Sequence, residues 1–236
     1  MTDRPDLAVV IPALNAAPML AATLDALRCG AGERLCYELI VADGGSRDAT
    51  HRVAAAAGAQ VSCGAAGRGA QLRRGVEEAS ARWLLFLHAD SRLAAHWGET
   101  VMDFMVRREE PEAAGDFRAA VFGFALDDAD ARARRIERWA RWRARVLGLP
   151  YGDQGLLISR RFYQAIGGYR PIQLMEDVDL ARRIGRRRLE LLEADAVTSA
   201  VRYRRDGWVL RPLRNLSVLA LYFLGFPPRL LARLYG

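Results

Sequence analysis

The sequence predicts an α/β protein built on a mostly parallel sheet of the nucleotide-binding type, flanked by helices, with a helical appendage at its C-terminal end. Three observations predict it. Short apolar runs alternate with segments of helical spacing through the first half of the chain. Those runs are apolar throughout instead of alternating with polar residues, as in strands covered on both faces. Two of them, "ELIVADGGS" (38–46) and "LLFLHADSRL" (84–93), break on aspartates, Asp43 and Asp90. In a parallel sheet such acids stand at the carboxyl ends of the strands, where ligands bind.

The elements follow in order. "LAVVIPALN" (7–15) is a β-branched strand run that Pro12 and Asn15 end, and "AAPMLAATLDALRCG" continues at helical spacing to a glycine stop. "YELIVAD" (37–43) is the second strand, "SRDATHRVAAAAG" a helix with polar capping residues, and "AQVSCG" a brief third strand. "GRGAQLRRGVEEASA" opens a helix on glycines, and "RWLLFLHAD" (82–90) is the fourth strand. In the second half, "FRAAVFGFAL" (117–126) predicts a strand and "DDADARARRIERWARWRARVLG" (127–148) an arginine-rich helix. "LPYGDQGLLISRRFYQAIGGY" (149–169) combines a loop, a short strand and a helix. "MEDVDLARRIGRRR" (175–188) is a helix with an acidic start, and "LELLEADAVTSAVRY" (189–203) reads as one or two strands. The expected partition is one compact domain over 1–210, with a nucleotide-binding half (1–92) and a second half (93–210), and an apolar tail over 211–236.

The chain has 236 residues, 51% hydrophobic and 27% charged, enough for one folded core. Its net charge is +7, and all 35 basic residues are arginine. A coding bias accounts for the absence of lysine; the functional reading is affinity for anions such as a nucleotide diphosphate or an anionic membrane. No nucleic-acid-reading signature accompanies the charge, so no nucleic-acid partner is expected. Three scattered cysteines, Cys29, Cys36 and Cys63, argue against a disulfide framework and fit a reducing compartment. No apolar stretch long enough for a signal peptide precedes the first strand, so the expected location is cytoplasmic.

Asp90, at a sheet rim, suits a hard divalent cation bridging phosphate oxygens, although single surface aspartates are common. His88 beside it is as readily a core histidine. Asp43-Gly44-Gly45 offers an acid and a tight turn, for a base or ribose or simply for capping. "GRGAQLRR" (67–74) sets glycines and arginines at a helix start that favours anions, without the spacing of a dinucleotide fingerprint or a P-loop. "MEDVDLARR" places Glu176, Asp177 and Asp179 in a first helical turn, where the dipole alone would stabilise them; an acidic pair there can also hold a general base. "YGDQG" (151–155) shapes a polar pocket.

In this order, the motifs resemble the family 2 glycosyltransferases of the GT-A fold. The resemblance covers nearly the whole chain, most clearly 7–92 and 149–203. "GRGAQ", "LLFLHAD", "LPYGDQG", "LMEDVDLARR" and the closing "LGFPPRLLARLY" look closest to the subgroup of arsenosugar-biosynthesis and rSAM-selenodomain-associated glycosyltransferases. The resemblance implies an inverting transfer from a nucleotide-diphospho-sugar, usually a UDP-sugar, to a small-molecule or lipid-linked acceptor. It assigns the donor to Pro12, Asn15, Asp43, Gly67, Arg68, Gln71, His88, Ala89 and Asp90, with Asp43 on the nucleobase. Asp90 would be the remaining ligand of the family's Asp-x-Asp site for Mg²⁺ or Mn²⁺; the first position of that pair is His88 here. Asp177, with Glu176 beside it, would be the catalytic base, and Tyr151, Gly152, Asp153 and Gln154 would form the acceptor pocket.

A nucleotidyltransferase shares this kind of sheet, but "PALNAAPML" lacks the basic glycine-rich loop expected after the first strand. A nucleotide-sugar-binding protein without catalysis is the non-enzymatic alternative, suggested only by His88. "LSVLALYFLGF" (216–226) is too short to span a bilayer, which takes about 20 apolar residues. Packing on the domain, a homodimer, or peripheral contact with the inner face of a membrane would each explain the tail and the tryptophan-bearing basic helix.

Overall fold

The structure, a computed structural model, describes residues 5–235. Residues 1–4, which belong to the segment read for a signal peptide, and Gly236, the end of the tail, lie outside the described residues. Four strands form the expected first half: β1 (Leu7–Ala13), β2 (Tyr37–Asp43), β3 (Gln60–Cys63) and β4 (Trp83–Phe86). They are parallel and joined by α1 (Ala17–Gly30), α2 (Thr50–Ala56) and α3 (Arg68–Glu78). The alternation inside β1 shows why the run is apolar throughout. Leu7, Val9 and Ile11 pack into one core with Leu20, Leu27, Trp97 and Phe104, while Ala8 and Val10 face a second with Leu72, Val76, Phe162 and Leu180.

The second half contributes β5 (Ser91–Leu93), α4 (Trp97–Ala113), β6 (Ala119–Leu126) and α5 (Ala131–Trp142), which continues into a π-helical turn, Arg143–Leu147. A 3₁₀ turn, Gly152–Gln154, leads to β7 (Leu156–Ser159), α6 (Arg160–Ala165), α7 (Glu176–Ile184) and β8 (Leu189–Thr198). α8 (Val201–Asp206), α9 (Leu210–Phe223) and α10 (Pro228–Tyr235) close the chain. The sheet order is β3-β2-β1-β4-β7-β6-β8-β5. β7 runs antiparallel to both β4 and β6, β8 is parallel to β6, and β5 is antiparallel to β8, so the sheet is mixed beyond β4.

Four boundaries differ from expectation. The fourth strand ends at Phe86, so His88, Ala89 and Asp90 sit on the connection to β5. α4 fills a stretch for which no element was expected; its inward residues Trp97, Val101, Phe104 and Met105 lie at helical spacing, and Pro111 falls near its end. The arginine-rich helix starts at Ala131, where Asp130 caps the Arg132 N–H, and is regular only to Trp142. The last predicted strand stops at Thr198, because the Asp127 carboxylate takes the Ala200 N–H at 2.6 Å and the chain turns into α8. Val218 and Leu219 of α9, with Leu231 of α10, pack on Leu174, Met175 and Val178. No helix among the described residues is long and apolar enough to cross a membrane.

Candidate active site

The carboxyl ends of β1 and β4, the start of α3, the 149–155 loop, the start of α7 and the α8–α9 region enclose one cavity of about 450 Å³. Pro12, Gly67, Arg68, Gln71, His88, Ala89 and Asp90 line its donor-expected side, and Tyr151, Gly152, Asp153 and Asp177 line the other. Asn15, Asp43, Gln154 and Glu176 do not line it.

Asp43 lies beneath the rim with its side chain wholly buried. It accepts hydrogen bonds from the Gly45 and Ser46 N–H groups at 2.7 and 2.8 Å, from the Ser46 hydroxyl, and from His51 Nε2 at 2.9 Å. Burial works against ionisation, but the Ser46 and His51 bonds outweigh it and hold the carboxyl at about 2. Ser46 Oγ in turn accepts the Asn15 N–H, and Asn15 Oδ1 accepts the Arg47 N–H at 2.8 Å, so the two loops after β1 and β2 are stitched together. Asn15 holds φ 48°, a left-handed conformation its short polar side chain tolerates. The Asp43 carboxylate is thus engaged in shaping the loop, and it stands behind the residues that line the cavity.

Asp43, His51 and Cys63 offer ligand atoms within 4.8 Å of one another, with Cys63 Sγ 3.8 Å from His51 Nε2. Asp43 Oδ2 accepts the Gly45 and Ser46 N–H groups and lies 2.9 Å from His51 Nε2, another member of this group.

Gln71 is an internal tie as much as a wall residue. Its amide nitrogen donates to the Ala13 and Ala42 carbonyls at 2.9 and 2.7 Å, and its oxygen accepts the Gly67 N–H at 3.1 Å. It thereby fastens the start of α3 to the ends of β1 and β2. Arg68 pairs with Glu176 at 3.2 Å. Glu176 is almost fully buried behind the cavity wall; burial raises its pKa to about 7, with Arg68 opposing and Asp177 adding to the rise.

The opposite wall is built as tightly. Arg143, from the π-helical turn, lies over the Tyr151 ring at 3.3 Å and donates to the Leu149 carbonyl at 2.8 Å. Buried Gln154 donates to the Phe122 carbonyl at 3.1 Å, which anchors the loop to β6. Between them Asp153 is half-buried, and its Oδ1 is shielded and without a hydrogen-bond partner. Burial raises its pKa to about 6; Arg143 opposes the rise, and Asp90 and Asp177 add to it. Asp177 Oδ2 accepts the Gly152 N–H at 2.7 Å and its Oδ1 the Val178 N–H at 2.7 Å, which fixes the carboxylate at the start of α7. Met175, just before this helix, takes φ 67°, an unfavourable value for a residue with a side chain. Asp179 is bound by Arg170 and Arg183.

His88 sits at the centre, with its Nε2 only 2.4 Å from where a Cβ on Gly152 would stand, so only glycine fits there. Burial and Arg68 push its pKa down to about 4 against the opposing pull of Asp90 and Asp177, leaving a neutral ring near pH 7. Asp90 Oδ2 lies 3.4 Å from Arg202 on α8. Arg202, Tyr203, Arg211 and Asn215 also line the cavity, although no sequence motif pointed to them. The signal available was the arginine cluster after Thr198, which is hidden if that stretch is read as strand. Three acids and several arginines around one cavity can bind a diphosphate, a cation and a hydroxyl group together.

The family model described as Glycosyl transferase family 2 matches residues 8–155. No curated protein matches the sequence. Among solved structures, the chain is similar to a mannosyltransferase from Pyrobaculum calidifontis in complex with GDP-Man and Mn²⁺, with a TM-score of 0.64, 16% identity, and 92% of this chain and 62% of that one covered. It is also similar to S. aureus TarS 1–349 in complex with UDP, with a TM-score of 0.63, 13% identity, and 83% and 61% covered. Glucosyl-3-phosphoglycerate synthase from Mycobacterium tuberculosis, in complex with Mn²⁺, UDP and glucosyl-3-phosphoglycerate, gives a TM-score of 0.52 and 20% identity, with 83% and 70% covered. The chain therefore spans 61–70% of the length of these three neighbours.

Proposed function

Because the chain belongs to glycosyl transferase family 2, we propose that it is an inverting glycosyltransferase. It would move a sugar from a nucleotide-diphospho-sugar, with uridine the favoured base, to an acceptor hydroxyl held near Tyr151, Gly152 and Asp153. One observation carries the reading: Asp90, Asp153 and Asp177 meet across a single cavity with Gly67 and Arg68 at the start of α3. Neighbours solved with UDP, GDP-Man and Mn²⁺ support the donor class. The stretches "LPYGDQG" and "LMEDVDLARR" support a place in the arsenosugar and selenodomain-associated branch.

In this reading the diphosphate lies against the first turn of α3, where Arg68 and the backbone N–H groups favour anions. The stitched Asn15–Ser46 loops present backbone groups to the nucleoside, with Asp43 acting through them. The donor set fits a hard divalent cation, Mg²⁺ or Mn²⁺: Asp90 and the unpartnered Asp153 Oδ1 would hold it, and neutral His88 adds no competing charge. Such an ion, when bound, would offset the charge that collects on the departing diphosphate. Asp177, immobilised by the Gly152 N–H, would take the acceptor proton as the acceptor oxygen bonds to the anomeric carbon and the bond to the diphosphate breaks on the opposite face. Glu176 serves behind the wall as the anchor of Arg68.

A thermal-shift series with UDP, GDP and their sugars, with and without Mn²⁺, tests the donor, since a ligand of the folded state alone raises its apparent stability. Asp177→Asn should keep the donor-induced rise and lose transfer by roughly 100-fold or more, and Asp90→Ala should lose both the Mn²⁺-dependent rise and transfer. Unchanged transfer in Asp177→Asn overturns the assigned base, and indifference to every nucleotide-sugar overturns the donor class.

A further inference from the structure

We propose that the outward face of α9 and α10, together with the exposed edge of α5, is a docking surface for an anionic lipid bilayer. A surface helix normally turns its polar side to water, and α9 does the reverse. Its inner side is buried through Val218 and Leu219, yet Leu210, Leu213, Leu216, Ala220, Phe223 and Leu224 recur at helical spacing on the exposed side, interrupted only by Ser217. Leu210 and Leu224 are 70% and 75% exposed. Phe226 and Leu230 extend the apolar surface toward α10.

α5 adjoins this face: Ile136 and Trp139 line a small cleft together with Pro212 and Leu216 of α9. Trp139 and Trp142 stack on each other at 4.8 Å between ring centroids while remaining 48% and 44% exposed. Tryptophan suits the depth where headgroups meet acyl chains.

Charge chooses the occupant. From Gly207 to Gly236 the sequence has four arginines and neither aspartate nor glutamate; Arg211 is buried, and it and Arg214 pair with Asp206 at the end of α8. The exposed side of α5 and its π-helical turn adds Arg135, Arg138 and Arg145, and the one acid between Ala131 and Leu147, Glu137, is buried against Arg134. Positive charge bordering an apolar surface is complementary to anionic headgroups. A two-fold pairing of copies would bring this face onto itself, and like charges with it. At 14 residues, about 21 Å of helix, α9 is too short to span a bilayer and fits one lying in the interface. Tyr203 and Asn215 line both the small cleft and the main cavity, so a docked face would lie beside the cavity. A consequence for the acceptor, that it reaches the site from the membrane, rests on the glycosyltransferase reading; the docking itself does not.

Vesicle sedimentation tests it without donor or acceptor. The whole chain is mixed with vesicles of phosphatidylcholine alone or phosphatidylcholine with phosphatidylglycerol, at low and high salt. The expected result is sedimentation with the mixed vesicles at low salt, clearly weaker with neutral vesicles or at high salt. The pair Leu213→Glu, Leu224→Glu should reduce binding roughly 100-fold at an unchanged melting temperature, and Trp139→Ser with Trp142→Ser should also weaken it. Failure of the wild type to sediment with mixed vesicles at low salt, or binding indifferent to the leucine pair, overturns the proposal. So does a wild-type dimer in analytical ultracentrifugation that the leucine pair turns into a monomer, which would assign the face to a second copy.

Discussion

Replacing Asp153 with asparagine should stabilise the protein, and more so at higher pH. The carboxyl moves from its ordinary value of 3.8 to about 6 in the folded chain, because burial disfavours the charge and Asp90 and Asp177 add to that effect. Below about pH 4 the group is neutral whether the chain is folded or not, so it contributes no pH dependence. Between there and about pH 6 the folded chain holds a proton that the unfolded chain has released, and stability falls as pH rises. A gap of about two pH units at about 1.4 kcal/mol each gives a penalty approaching 3 kcal/mol at pH 8. Asparagine keeps the shape and cannot ionise. In a chain of this size that corresponds to a melting temperature roughly 5–10 °C higher at pH 8, with the difference closing toward pH 4. Calorimetry or dye-based melting from pH 4 to 8, with a chelator present, reads it directly. A variant no more stable than wild type at pH 8, or a difference of the same size at both ends, would refute the reasoning.

Gln71→Ala removes its bonds to the Ala13 and Ala42 carbonyls and to the Gly67 N–H, while the Ala13 carbonyl keeps the bond from the Gly44 N–H, so chemical denaturation should show a loss of about 2–3 kcal/mol. Gly152→Ala puts a methyl 2.4 Å from His88 Nε2; the loop or the ring must move, and nucleotide-sugar affinity should fall with a loss of about 1–3 kcal/mol in stability. Arg160 donates to the carbonyls of Val76, Ala79 and Ala81 where α3 ends, and Arg160→Met should cost about 3 kcal/mol in urea melts without altering donor affinity. Equal stability in either Gln71→Ala or Arg160→Met would mean that water replaces those bonds freely.

The parallel half was legible because its signal is local. A strand buried on both sides must be apolar at every position, and Leu7–Ala13 and Tyr37–Asp43 are written that way. Asp90 was expected at the rim because ligands bind beyond the carboxyl ends of parallel strands. Asp177 stood in a visible acidic helix start, singled out from its neighbours by the family resemblance; both line the cavity. What escaped depends on distant partners. Nothing in "VADGGS" says that the Asp43 carboxylate will be spent on Ser46 and His51, since those bonds exist only once the loop closes. Arg202 and Asn215 reach the cavity because Asp127 terminates β8 and redirects the chain, a capping event 73 positions away in sequence. α4 was missed although its inward residues keep helical spacing. Its packing into the α1 side of the core, Trp97 Nε1 donating to the Leu27 carbonyl, was invisible in the sequence.

β7 lies hydrogen-bonded between β4 and β6, so the two halves of the chain share one continuous plate instead of meeting at a seam. Its two sides have no crease along which to swing apart, unlike a pair of jaws. On the perimeter of the cavity α8 contributes Arg202, which stands 3.4 Å from Asp90. Above this plate the three acids are carried by its connections: Asp90 between β4 and β5, Asp153 in the turn before β7 and Asp177 at the start of α7.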